Sequence, residues 1–198
     1  MKTILASTSP RRLELIRLLG IEPTVISPSF DESAETVPGE ITPDFLAEFL
    51  AVKKCMSVFM DYPDDVVITA DTVVIYGNDI LGKPAGDAEA ALMLRRLSAK
   101  THTVITGVCI GHGGHTTSFS EMTYVEFDVL PDTFIEAYIK TGSPRDKAGA
   151  YGIQDDMLKP FIKKIDGNLE NVIGLPLCKL RKTLNDTKIL KRNYKLDD

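Results

Sequence analysis

Tryptophan is absent from this sequence, and histidine and cysteine each occur only three times in 198 residues. The three histidines have no metal-ligand spacing and read as surface or strand residues. Cys55, Cys109 and Cys178 lie far apart in apolar segments, without a C-x-x-C pair, so they read as small buried hydrophobes. No apolar run is long enough to cross a membrane, and no basic-then-apolar signal follows Met1, so a cytosolic protein is expected. A surplus of basic residues is also missing. The formal net charge of -5 argues against a nucleic-acid polymer as partner. Repeats, low-complexity tracts and long linkers are lacking as well, which favours one domain over 1–198. With 43% hydrophobic and 26% charged residues, the chain has the composition of a globular protein with a real core.

The elements alternate. Lys2 to Ala6 reads as a buried strand that hands over, through Ser7-Thr8-Ser9-Pro10, to a helix carrying Leu15, Ile16, Leu18 and Leu19 as far as Gly20. Thr42-Pro43 opens a second helix, ending near Asp61, whose Phe45, Phe49, Val52, Met56 and Phe59 share one face. Val66 to Ala70 is a strand that Val73 to Tyr76 continues or replaces, before a turn at Gly77-Asn78-Asp79. Asp87 is placed to cap a helix reaching Leu97. Thr101 to Ile110 then pairs with Thr116 to Asp128 as a long hairpin. A helix from Pro131-Asp132 to Lys140, a strand over Phe161 to Ile165 and a C-terminal helix marked by Leu177, Leu180 and Leu184 complete an α/β pattern with a mixed sheet.

Several segments carry candidate chemistry. Ser9 reads as an N-cap and Pro10 as the first helical residue, which puts Arg11 and Arg12 in the first turn. Cations there oppose the helix macrodipole, and a bound phosphate resolves that conflict; the alternative is two solvated arginines, each tolerating about 0.3–1 kcal/mol. Asp71 interrupts an apolar run, where a carboxylate is costly unless a cation such as a metal ion meets it; the alternative is an Asp at a strand end. Asp31-Glu32 adds a carboxylate pair suited to a hard divalent ion, although acidic loop residues are usually just solvated.

Gly77 to Lys83 matches the G-x-x-x-x-G-K part of a phosphate-binding loop. Pro84 replaces the Ser or Thr that such a loop needs, and the segment reads as a hairpin turn, so that assignment is rejected. Lys83, between Gly82 and Pro84, is either aimed at a phosphate or an ordinary turn lysine. Ser143 to Gln154 reads as a binding loop or as a mere connection. In the first case Gly149 and Gly152 admit a flat ligand, and the Gln154 amide faces a pyrimidine edge as donor and acceptor.

Five blocks carry a resemblance. Leu5-Ala6-Ser7-Thr8-Ser9-Pro10-Arg11-Arg12, Ala70-Asp71-Thr72-Val73-Val74, Leu81-Gly82-Lys83-Pro84, Lys147-Ala148-Gly149-Ala150-Tyr151-Gly152-Ile153-Gln154 and Asn171-Val172-Ile173-Gly174-Leu175-Pro176 resemble, in order, the Maf family of nucleotide pyrophosphatases. The resemblance implies a mixed β-sheet flanked by helices, akin to inosine triphosphate pyrophosphatases (Maf/Ham1-type), with two lobes and a cleft. It also implies a divalent metal (Mg²⁺, or Mn²⁺ or Co²⁺), release of pyrophosphate from a nucleoside triphosphate, and a homodimer. Carried over by position, Asp71 is the proton acceptor and, with Glu32, a metal ligand. Ser7, Arg12, Lys54 and Lys83 match phosphate contacts, with Lys53 adjacent to Lys54. Arg11, Thr72 and Gln154 match positions that govern substrate choice, and Tyr-Gly-Ile-Gln resembles the branch acting on dTTP and UTP, with CTP and modified pyrimidine nucleotides as further candidates. Asp155-Asp156 departs from the glycine that usually follows the glutamine, which alters loop flexibility or adds repulsion near phosphates. The rival activities are cleavage of 7-methyl-GTP or of damaged nucleotides and, in a different class, non-catalytic nucleotide sensing in cell division.

Overall fold

The structure, a computed structural model, describes residues 1–30, 42–187 and 189. β1 (Thr3–Ala6) is buried throughout, as a short apolar run between two neighbours must be. It runs parallel to β2 (Thr24–Ile26) and to the start of β3 (Val66–Tyr76). The sequence reading does not find β2: three exposed or half-buried residues are too few to show a period. Between β1 and β2 lies α1 (Pro10–Arg17), followed by a turn to Gly20 at φ +72°.

α2 (Pro43–Phe59) starts at the expected Thr42-Pro43 signal and packs only in part by its expected face, from which Phe59 is buried and Val52 lies against the core. Phe45 is 54% exposed and Met56 42%, whereas Ala47, Leu50, Ala51, Cys55 and Val58 are buried. The helix is apolar nearly all round, so periodicity alone does not select the packing side; closeness does. A Cβ added at Gly107 would lie 2.2 Å from the Ala47 carbonyl, so small residues meet where helix and sheet touch. Thr69 fastens the contact, its hydroxyl donating to the Ala51 carbonyl at 2.7 Å.

β3 passes through Asp71 without a break and turns at Gly77-Asn78 into β4 (Asp79–Leu81), pairing Tyr76 with Asp79. This hairpin confirms that no phosphate-binding loop forms there. α3 (Asp87–Leu97) has Gly86 at its N-cap and Asp87 one position later, where the carboxylate accepts from Arg145 at 2.9 and 3.0 Å. β5 (Thr101–His112) and β6 (His115–Phe127) join through Gly113-Gly114, both at positive φ as a two-residue hairpin turn requires. α4 (Asp132–Lys140) leads into short 3₁₀ turns at Ser143–Asp146, Ala148–Ala150 and Lys159–Phe161. β7 (Ile162–Asp166), α5 (Leu169–Ile173) and α6 (Leu177–Asp186) follow. α5, unforeseen, spans five residues, too short for a helical period to show.

The strands pair in the order β2-β1-β3-β5-β6-β7, with β4 on β3 and β7 antiparallel to β6, a mixed sheet as expected. The described residues fall into two compact units, one within Met1–Asp71, Thr106–Glu121 and Gly174–Asp198, the other within Thr72–Ile105 and Met122–Ile173. Each has its own apolar core. The first centres on Ile4, Ala6, Ala51, Cys55, Val58 and Cys109. The second centres on Leu94, Leu97, Phe127, Ile135, Tyr138 and Tyr151. Cys178 departs from expectation in being exposed, because it falls on the outer side of α6 between the buried Leu177 and Leu180.

Candidate active site

In the first unit the β1-to-α1 junction gathers Ser7 and Arg12. Ser9 occupies the N-cap position without a side-chain capping bond, and the first turn holds no acidic residue. The buried Ser7 hydroxyl oxygen instead accepts from the Ser9 amide at 3.2 Å and from Arg12 Nη1 at 3.4 Å. Arg12 Nε donates to the Gly174 carbonyl at 2.9 Å. Two anchors thus fix the plane of one guanidinium beside a helix N-terminus, an arrangement suited to a phosphate. Arg11, next in the same turn, is half-buried.

Asp71 is only 7% exposed, in the middle of a strand and not at its end. Lys54, 8% exposed on α2, donates from its ammonium to Asp71 Oδ1. The buried carboxylate therefore has its cation, which offsets a desolvation cost of several kcal/mol per ion. The adjacent lysines take different partners: Lys53 lies over the Phe49 ring at 5.3 Å to the centroid, while Lys54 turns to Asp71. The close seating of α2 at Ala47 and Ala51 is what brings Lys54 within reach of β3.

A divalent cation suits Asp71 by donor chemistry. Magnesium takes one or two carboxylates and fills its other positions with water and substrate phosphate, so it needs no cage of several protein ligands. Glu32 and its neighbour Asp31 lie outside the described residues. Among the described residues no group of three or more His, Cys, Asp or Glu is placed to hold a metal ion.

The second unit contains Thr72, Lys83 and Gln154. Thr72 is half-buried on β3, and Lys83 is exposed between Gly82 and the buried Pro84. The Gly149 amide donates to the Gly82 carbonyl at 3.1 Å, so the Lys83 segment and the 147–154 loop are held together. Gly149 has φ +69°, and a Cβ there would come within 3.0 Å of Val74, a place only glycine fills without strain. Tyr151 turns inward: it is buried, its hydroxyl stands 2.7 Å from His102 Nε2, and its ring meets Phe127 edge-on. Tyr151 is thus a core residue, whereas Gln154 is exposed after the buried Ile153. A surface recess lined by Thr101, Tyr124, Glu126, Lys164 and Asp166 contains none of the expected site residues.

With this geometry in place, the sequence matches the family described as Maf-like protein over residues 2–187. The chain belongs to the Maf family. Its Maf relatives include the dTTP/UTP pyrophosphatase of Aquifex aeolicus, 42% identical over 98% of this chain and 100% of that protein. That of Thermosipho africanus is 47% identical over 91% of this chain and 90% of the relative. That of Shewanella oneidensis is 38% identical over 96% and 100%. Among solved structures, the Staphylococcus aureus Ham1 protein superposes with a TM-score of 0.54 at 15% identity, covering 94% of this chain and 100% of that one. The Maf chain thus has the expected Ham1-type α/β fold.

Three contacts carry no signal in the sequence. Gly174 as acceptor for Arg12 is 162 residues away, beyond any spacing rule. His102 sat in an apolar strand, a hint of burial without a partner. Tyr138 and Asp155 join only when α4 folds against the loop.

Proposed function

We propose that this chain is a nucleoside triphosphate pyrophosphatase that cleaves dTTP and UTP to the nucleoside monophosphate and pyrophosphate. The buried mid-strand Asp71, held in place by Lys54, carries this reading, because a positioned carboxylate within reach of a reacting water can accept its proton. Relatives 38–47% identical along nearly the whole chain and named dTTP/UTP pyrophosphatase supply the substrate.

A divalent ion held by Asp71, and by Glu32, would polarise the phosphate and its attacking water. Water attacks the α-phosphorus, the bond to the bridging oxygen breaks, and pyrophosphate leaves with that electron pair while Asp71 accepts the proton from water. Lys54 holds Asp71 in place. The Ser7–Arg12 pair, Arg11 and Lys83 bind the phosphates and spread the charge that develops on the leaving group. Thr72 and Gln154 read the nucleoside. The protein acts as a single domain over 1–198, in the cytoplasm, with a homodimer as its assembly.

Pyrophosphate release from dTTP, UTP, CTP, GTP and 7-methyl-GTP, each with Mg²⁺ and with EDTA, tests the proposal. Metal-dependent cleavage favouring dTTP and UTP is expected. Binding without release from any nucleotide overturns it in favour of a sensor.

A further inference from the structure

Gly152 to Asp155 forms a four-residue turn, closed by the Asp155 amide donating to the Gly152 carbonyl at 3.0 Å. The turn buries Ile153 and leaves Gln154 exposed at its third position. Both ends of this turn are tied to one phenol. The Gly152 amide donates to the Tyr138 hydroxyl oxygen at 2.9 Å, and that hydroxyl in turn donates to Asp155 Oδ2. Ser143 donates to the same carboxylate oxygen at 2.5 Å. Lys147 braces Ser143 from below, its ammonium donating to the Ser143 carbonyl at 2.6 Å and hydroxyl at 3.0 Å.

Asp155 also anchors the chain beyond the turn, its carbonyl accepting from the Leu158 and Lys159 amides at 2.9 and 3.2 Å. The space is fitted to the carboxylate: a Cβ on Gly152 would stand 2.8 Å from both Asp155 oxygens and from Lys147 Cε. Burial first, and the Asp155 carboxylate second, hold the Tyr138 phenol above its ordinary range, so it remains a donor at any physiological pH. A charged acceptor receiving two hydroxyl donors makes stronger bonds than neutral partners do.

We propose that Asp155 is a positioning residue for nucleotide binding: by clamping Tyr138 and Ser143 it fixes the turn that presents Gln154, and so strengthens the hold of that turn on the base. The idea rests on the proposed function in taking Gln154 as the base-reading residue. It replaces the expectation of a looser or more repulsive loop. Asp155 spends its charge inward on two hydroxyls, and Asp156, exposed and paired with Lys159 at 2.7 Å, is turned to solvent.

The experiment compares Asp155→Gly and Asp155→Asn with wild type, each alone and with Gln154→Ala, by dTTP hydrolysis with Mg²⁺ and by dTTP binding calorimetry in EDTA. For Asp155→Gly, KM and the dissociation constant for dTTP rise roughly tenfold while kcat stays within about twofold, the pattern of lost uniform binding. Asp155→Asn recovers part of that loss, since its amide oxygen still accepts from a hydroxyl. In the Gln154→Ala background, Asp155→Gly adds little, because the two positions act as one unit.

Affinity within about twofold of wild type in Asp155→Gly, or an effect of equal size in both backgrounds, overturns the proposal. A wild type that binds dTTP without cleaving it sinks the hydrolase reading alone, and the clamp is then judged on the dissociation constants. Neither binding nor cleavage overturns both.

Discussion

Acidification loads a proton onto a ring that the folded chain keeps neutral. His102 is 2% exposed, packed between Phe127 and Tyr151 at ring-centroid distances of 4.9 and 5.3 Å. Its Nδ1 has no hydrogen-bond partner among the described residues. Burial lowers its pKa from 6.5 to about 4. The unfolded chain therefore binds the proton first. The contribution of the neutral ring is complete above about pH 6.5 and is lost as pH falls towards 4. Linkage over that window gives a loss of about 1.5 kcal/mol near pH 5.5 and about 2.5 kcal/mol near pH 4.5.

Urea unfolding of wild type and His102→Phe at about pH 7.5, 5.5 and 4.5 isolates this group from the carboxylates, which titrate in both proteins. Phe fills the aromatic cluster but leaves the Tyr151 hydroxyl without its partner, so the variant starts about 1–3 kcal/mol less stable near neutrality. The gap closes, and reverses if the starting cost is small, as pH falls. A wild-type-minus-variant difference that stays constant from about pH 7.5 to 4.5 refutes the reasoning, because His102 would then titrate alike in both states.

Asp71→Asn keeps the shape of the site but removes the proton acceptor, and pyrophosphate release is expected to fall at least about a hundredfold, with circular dichroism unchanged. Unchanged turnover would remove Asp71 from that role. Lys54→Met leaves a buried carboxylate without its cation and lowers stability by about 3 kcal/mol in urea, whereas the double variant with Asp71→Asn recovers most of this without recovering activity. Gly107→Ala drives a methyl into the α2 backbone at Ala47 and costs at least about 2 kcal/mol; a midpoint equal to wild type would show that α2 is not seated there. Arg12→Ala raises KM for dTTP by roughly tenfold or more, and Arg12→Lys rescues it poorly because only a guanidinium meets both Gly174 and Ser7.

Much was legible in one dimension because it depends on neighbours in the chain. Pro10, Pro43 and Pro131 mark helix starts, Gly77 and Gly113-Gly114 mark hairpins, and apolar runs mark strands, since local backbone sterics act over a few residues. The five motif blocks likewise name Ser7, Arg12, Asp71, Lys83 and Gln154, and the family resemblance adds Lys54. What the order of residues left open was decided by packing. Lys53 and Lys54 are equivalent as letters, and only the seating of α2 on Gly107 turns one of them to Asp71. Asp71 reads as a strand end or as a buried charge until β3 runs through it. Tyr151 and Gln154 looked like partners in one binding loop, yet an aromatic core claims the first and a closed turn exposes the second. Asp155 looked like a charge near phosphates, and two hydroxyls brought to it by α4 and the following 3₁₀ turn make it a clamp. The sequence determined which chemical groups are present and which elements carry them. Tertiary structure decided which groups meet, because burial and hydrogen bonding act between segments whose separation along the chain carries no signal.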